Sequence, residues 1–154
     1  MFKEFENRVF DELNGRFSEF DTDEERYNYL KNVIKSLKPD LPDEDIQKIF
    51  KDALDYFPIN EYLNDEKVED IMINNTKNIF VYTSDRGYVN TNKRIDSREE
   101  LNRLVKKFKL FSTNITNDKI FDVHLPNGSR VNIVDSPLGY DITIRNFKSR
   151  PFSI

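Results

Sequence analysis

HLPNGSRVN, residues 124 to 132, and DITIRNF, residues 141 to 147, place Arg130 and Arg145 on two neighbouring strands separated by a short loop. In Arg130-Val131-Asn132-Ile133-Val134 and in Ile142-Thr143-Ile144-Arg145 polar and apolar residues alternate, as in strands with one buried face. Pro126-Asn127-Gly128-Ser129 and Ser136-Pro137-Leu138-Gly139 supply turn chemistry before each strand. If the second turn closes an antiparallel hairpin, keeping Val131, Ile133, Ile142 and Ile144 on the core side sets Asn132 opposite Thr143 and Arg130 opposite Arg145. Two guanidinium groups side by side oppose folding by a few tenths of a kcal/mol to roughly 1 kcal/mol unless an anion or a carboxylate stands between them. Arginine's planar fork suits a phosphate oxygen. Asp122, Asp135 or Asp141 pairing with them, or plain solvation of an outer sheet face, would explain the same pattern.

The order LPNGSRVN, short loop, ITIRNF resembles the end of the N-terminal domain of the type II/type IV secretion traffic ATPases, and among these the tight-adherence (Flp) pilus assembly ATPases. Upstream, PINEYLNDEKVEDIMINNTKNIFVY (Pro58 to Tyr82) is similar to the segment that opens this domain, a short helix leading into a strand, a Met-x-Asn-like turn, a second strand and a hairpin. The resemblance runs from about Pro58 to Phe152. It implies a PAS-like fold and a cytoplasmic protein, placed peripherally at the inner face of the membrane through the secretion machine. In that family two arginines reach from this domain toward nucleotide phosphates held by a RecA-like domain. Arg130, in the GSR motif, and Arg145, in the TIR motif, match those positions, so the resemblance implies that they contact phosphate of an ATP·Mg complex in the intact motor. It also implies partners: the protein's own RecA-like domain, neighbouring subunits of a hexamer, and components of the secretion or pilus membrane platform.

The chain departs from the family pattern in three places. The loop between the last two strands is shorter than usual, Thr116-Asn117-Asp118-Lys119 replaces the Gly-Arg and Pro common before LP-x-G, and His124 stands where a small or charged residue is more usual. Catalysis in such ATPases needs a phosphate-cradling glycine loop with its lysine. Gly15, Gly87, Gly128 and Gly139 are the glycines of this chain and none precedes a lysine. Hydrolysis by these 154 residues alone is not expected, and no catalytic residue, metal ligand or resident cofactor is assigned to them. Lys148 to Ile154 resembles the start of the linker into the nucleotide-binding domain.

Composition narrows the rest. The length suits one ordinary domain, or a small one with a helical extension. Without cysteine there is neither a disulfide framework nor a thiolate zinc site, and a single histidine offers no imidazole cluster. No apolar run approaches the roughly 20 residues of a membrane span. Residues 1 to 60 carry net −6 and the remainder net +2, within an overall −4. Such an acidic leading half argues against a general nucleic-acid binder, whose affinity rests on neutralising phosphates.

That half reads as helices. Phe2, Phe5, Val9 and Leu13 recur at helical spacing before Asn14-Gly15. Thr22 and Glu25 form a capping box for a helix carrying Tyr27, Leu30, Ile34 and Leu37, stopped by Pro39. A third helix from Pro42 presents Ile46, Ile49, Phe50, Ala53, Leu54 and Phe57 as its core stripe. In the second half Val68 to Asn74 and Ile79 to Tyr82 read as strands, and Ser84-Asp85-Arg86-Gly87 turns the chain into Tyr88-Val89. Ser97 and Glu100 then cap a helix with Leu101, Leu104, Val105 and Phe108 inside and Arg103, Lys106, Lys107 and Lys109 outside, after which strands resume at Ile120.

The expectation is an α+β chain: a helical extension over residues 1–57, a PAS-like antiparallel sheet domain backed by helices over 58–147, and the beginning of a linker over 148–154. Its function is that of an N-terminal accessory domain of a hexameric secretion or pilus-assembly ATPase. The rival is a free-standing, non-enzymatic adaptor that docks on a secretion machine through its acidic helices.

Overall fold

The capping box at Thr22 forms: its hydroxyl accepts from the Glu25 amide at 3.2 Å while the Glu25 carboxylate accepts from the Thr22 amide. In the computed structural model, which describes residues 2–117 and 119–146, four helices come first: α1 (Phe2–Glu12), α2 (Asp23–Leu37), α3 (Asp43–Ala53) and the single turn α4 (Asn60–Leu63). Strands β1 (Val68–Asn74), β2 (Phe80–Thr83) and β3 (Gly87–Asn90) follow, then α5 (Arg98–Lys109), then β4 (Ser112–Asn117), β5 (Ile120–His124), β6 (Arg130–Ser136) and β7 (Gly139–Arg145). Lys148 to Ile154, read above as the beginning of a linker, lies outside the described residues, as does Phe147.

The seven strands form one sheet in the order β3-β2-β1-β7-β6-β5-β4, and every neighbouring pair is antiparallel. Two meanders, β1 to β3 and β4 to β7, meet at the β1–β7 pair. Between them the chain leaves one edge of the sheet, passes through α5 and re-enters at the opposite edge. Ile71, Ile73, Val81, Val123, Val131, Ile133, Ile142 and Ile144 point to one side of the sheet, into a core shared with Leu104, Val105 and Phe108 of α5 and with Val9, Leu13, Leu30, Ile34, Ile46 and Ile49 of the leading helices. Among the described residues, helices thus cover one face and none covers the other.

Three differences from the sequence reading have physical causes. Phe57, expected at the end of the third core stripe, is 76 % exposed, because α3 ends at Ala53 and the helical period no longer carries the chain back to the core. Arg103 and Lys107, assigned to the outer face of α5, are buried: Arg103 bridges Glu6 of α1 and Asp52 of α3, and Lys107 reaches Asp52 at 3.2 Å and the Asp55 carbonyl at 2.9 Å. An inward position of two cations requires acidic partners from other elements, which helical spacing within α5 does not disclose. Finally, a strand precedes Ile120. β4 is polar in composition, with bulged pairing at the sheet edge, so it lacks the alternating apolar signal that marks a half-buried strand.

Candidate anion-binding face

The β6–β7 hairpin has the anticipated register, with Arg130 opposite Arg145, Asn132 opposite Thr143 and Ile133 opposite Ile142. A two-residue connection, Pro137-Leu138, sets it, and Gly139 enters β7 at φ +128°, where the side chain of Asn75 occupies the space a Cβ would need. The far end is braced by buried polar groups. Asn146 donates to the carbonyls of Tyr62 at 2.9 Å and Val68 at 3.0 Å, and Ser129, 1 % exposed, lies against the Asn146 carboxamide oxygen. Ser129 of GSR and Asn146 following TIR are thus positioning residues that the sequence reading did not single out. Their presence inside the two quoted motifs was the available signal.

Strand parity puts both guanidinium groups on the open face. Register extends the row in both directions: Arg145 stands beside Asp70 of β1, and Arg130 beside His124 of β5. Arg145 Nε donates to Asp70 Oδ1 at 3.2 Å. The carboxylate that joins this pair is therefore Asp70, not one of the three aspartates considered from sequence. Asp122 accepts from the Asn132 carboxamide at 3.1 Å. Asp135 shares the parity of Ile133 and lines a cleft on the helix side with Arg98 and Asn102. Asp141 lies two residues along the row from Thr143, opposite Asn74 and Val134. Among the described residues Arg130 forms no ion pair.

Asp70 is thus the carboxylate bonded to an arginine of the pair, and Asp122, on the same face, is engaged by Asn132. Arg145 is 78 % exposed and Asp70 25 % exposed, so their contact is an outer-surface pair worth about 0–1 kcal/mol and readily exchanged. Thr113, Asp122, His124, Arg130, Asn132, Thr143 and Arg145 line a shallow depression of about 490 Å³ on this face. Two fork-shaped donors stand there on adjacent strands, an arrangement that can hold an anion, beside hydroxyl and carboxamide groups and the Asp122 carboxylate. Among the described residues no three His, Cys, Asp or Glu side chains form a metal-type cluster.

A second ionic group lies on the helix side. Burial drives the Glu6 carboxyl up to about 7, assisted by its hydrogen bond with Asp52 and only partly offset by Arg103. For Asp52 burial also acts upward, but the hydrogen bond from Glu6 and the charges of Lys107 and Arg103 outweigh it and hold the group below its ordinary value. The group is structural: it ties α1 and α3 to α5.

No protein-family model matches the chain, and no curated protein does. Among solved structures, the VirB11 ATPase from the Brucella suis type IV secretion system, crystallised in complex with sulphate, is similar to it at 20 % identity with a TM-score of 0.50. The likeness covers 62 % of this chain and 31 % of the VirB11 chain. Among the described residues no helix is long and apolar enough to cross a membrane. The α+β architecture expected from the secretion-ATPase resemblance is the architecture found, and the chain has a fold shared with part of a type IV secretion ATPase.

Proposed function

We propose that this chain is the N-terminal accessory domain of a hexameric secretion or pilus-assembly ATPase, cytoplasmic and peripheral to its membrane platform. Its open, PAS-like sheet presents Arg130 and Arg145 to nucleotide phosphates held by a RecA-like domain, and its remaining surfaces contact that domain and neighbouring subunits. It has no hydrolytic activity of its own. The observation that carries this reading is the cross-strand pairing of Arg130 with Arg145 on a face that no helix of the described residues covers, with the exchangeable Asp70 carboxylate beside Arg145. The shared fold with VirB11, a protein crystallised with sulphate, supports it. Guanidinium groups approaching a transferring phosphoryl from a second domain stabilise charge as it develops, the action of an arginine finger.

The test has two parts. Purified chain with ATP and magnesium should release no phosphate above background, since it holds no glycine loop with a lysine for the β and γ phosphates. In a longer gene product carrying such a loop after Ile154, Arg130→Ala or Arg145→Ala should slow turnover by ~10³-fold or more while leaving the fold intact. Unchanged turnover in the double variant defeats the reading.

The acidic first turns of α2 (Asp23, Glu24, Glu25) and α3 (Asp43, Glu44, Asp45) favour a second reading, an adaptor that docks through these helices. A natural stop codon after Ile154, with binding to a secretion-machine component lost when these carboxylates are neutralised, would establish it.

A further inference from the structure

The arginine row does not stop at Asp70. Register carries it from β7 across β1 into β2 and β3, so that Tyr88, Tyr82, Asp70, Arg145, Arg130 and His124 stand in one line across six strands. Val81 and Thr83 are buried on the helix side, which puts Tyr82 on the open face with the arginines. Tyr88 is 72 % exposed and meets Tyr82 edge-on, ring centroids 4.9 Å apart. Phe80, 41 % exposed, is the next open-face position along β2. Arg145, Arg130 and His124 thus stand at one end of the row, and Tyr82 and Tyr88 form an aromatic pair at the other, with Phe80 one open-face position away along β2. Nothing in the core requires them there, and clustered exposed aromatics mark recognition surfaces.

We propose that this row is a track for a single nucleoside polyphosphate, with the base on Tyr82 and Tyr88, the ribose hydroxyls on Asp70, and the phosphates on Arg145 and Arg130. The assignment rests on the phosphate-contact reading above and adds the base and sugar positions to it. From Tyr82 to Arg130 the order of the row matches the order of the ligand, aromatic, carboxylate, guanidinium, guanidinium against base, diol, phosphate, phosphate, and His124 lies beyond the second guanidinium. Strands lie about 4.8 Å apart, so the Tyr82 backbone is about 10 Å from that of Arg145 and roughly 14 Å from that of Arg130. An extended nucleoside di- or triphosphate spans a comparable distance, and the long arginine stems can shorten the gap. When a phosphate takes the Arg145 guanidinium, the Asp70 carboxylate loses its partner and gains acceptor capacity for two vicinal hydroxyls. The exchange costs little because the pair is at the surface.

A polynucleotide is disfavoured by the same face. Asp70, Asp122 and Asp141 interrupt the positive path that a repeating backbone needs, whereas one nucleotide requires cations at one end only.

The experiment is a titration of the purified chain, followed by backbone amide NMR shifts, with ATP, 2′,3′-dideoxy-ATP, inorganic tripolyphosphate and a short oligothymidylate. ATP should bind ~10-fold tighter than tripolyphosphate, the gain expected from stacking one base. Tyr88→Ala, a change at an exposed position, should bring ATP down to the tripolyphosphate level without altering tripolyphosphate binding. The dideoxy analogue should bind severalfold more weakly than ATP. Arg130→Ala should weaken every phosphate ligand. If wild-type chain binds ATP and tripolyphosphate equally, the base and sugar assignment falls while the phosphate reading stands. If neither binds, both fall. Oligothymidylate binding tighter than ATP, and lost in Tyr88→Ala, would overturn the proposal in favour of a single-stranded nucleic-acid surface.

Discussion

Asp70 decides how strongly the arginine pair can attract an anion. Its carboxylate neutralises part of the charge at Arg145 through one exposed contact, so Asp70→Asn should change global stability by less than about 1 kcal/mol. The same substitution removes the competitor for Arg145, and sulfate or tripolyphosphate affinity should rise severalfold. Thermal unfolding and anion titration read the two quantities separately. A large stability loss with unchanged affinity would show that Asp70 holds the strand rather than tempering the site. Arg130, with no ion pair among the described residues, is the arginine whose removal should cost anion binding without a structural penalty.

At the scale of the element, the β6–β7 hairpin is the device that keeps the arginines together. Its short connection fixes the register, and Gly139 is the position that cannot change. At φ +128° an L side chain is strained, and a Cβ would come within 2.6 to 2.8 Å of the Asn75 carboxamide, which itself donates to the Leu138 carbonyl. Gly139→Ala should destabilise the protein by ~1–3 kcal/mol, visible in urea unfolding. A second element-level effect concerns the 3₁₀ turn Phe17–Glu19 between α1 and α2. Phe17 is fully buried, with Phe111 edge-on at 5.5 Å and Phe50 at 6.1 Å. Phe17→Ala should cost about 3–5 kcal/mol, since it would empty the space between the leading helices and the segment that enters β4. A thermal midpoint unchanged by it would mean that the leading helices are not anchored there.

Over the whole molecule, the leading helices and the sheet are joined by the buried group of Glu6, Asp52, Arg103 and Lys107 as well as by the common core. Folded Glu6 keeps its proton up to about 7, whereas in an unfolded chain a glutamate releases it near 4.5. The folded state therefore binds the extra proton between those values. The contribution is fully present below about 4.5 and is lost as pH rises through about 7. Asp52 acts in the other sense: its folded value lies below 3.8, so its contribution holds above that and disappears as pH falls through the lower folded value. Stability measured by chemical unfolding should decline by on the order of 1–3 kcal/mol from pH 4.5 to 8, and Glu6→Gln should flatten the decline. Removing Arg103 instead leaves two carboxylates without their shared cation, and Arg103→Ala should cost ~3–5 kcal/mol near neutral pH.

What could be read along the chain was local. The Thr22 capping box, the turn at Pro137-Leu138 and the alternation in β6 and β7 each depend on neighbours within a few residues, and a two-residue period with one buried face leaves a hairpin a single register. That was sufficient to bring Arg130 and Arg145 together. Asp70, Tyr82 and Tyr88 join the same line through the pairing of β1 with β7, which connects positions far apart in the chain and leaves no periodic trace. The inward turn of Arg103 and Lys107 is of the same kind: their partners Glu6 and Asp52 come from α1 and α3, and a buried charge is tolerated only after packing has supplied its counter-charge. Side-chain period selects the face of a strand or helix, but the neighbour that covers or completes that face is chosen by how the elements assemble.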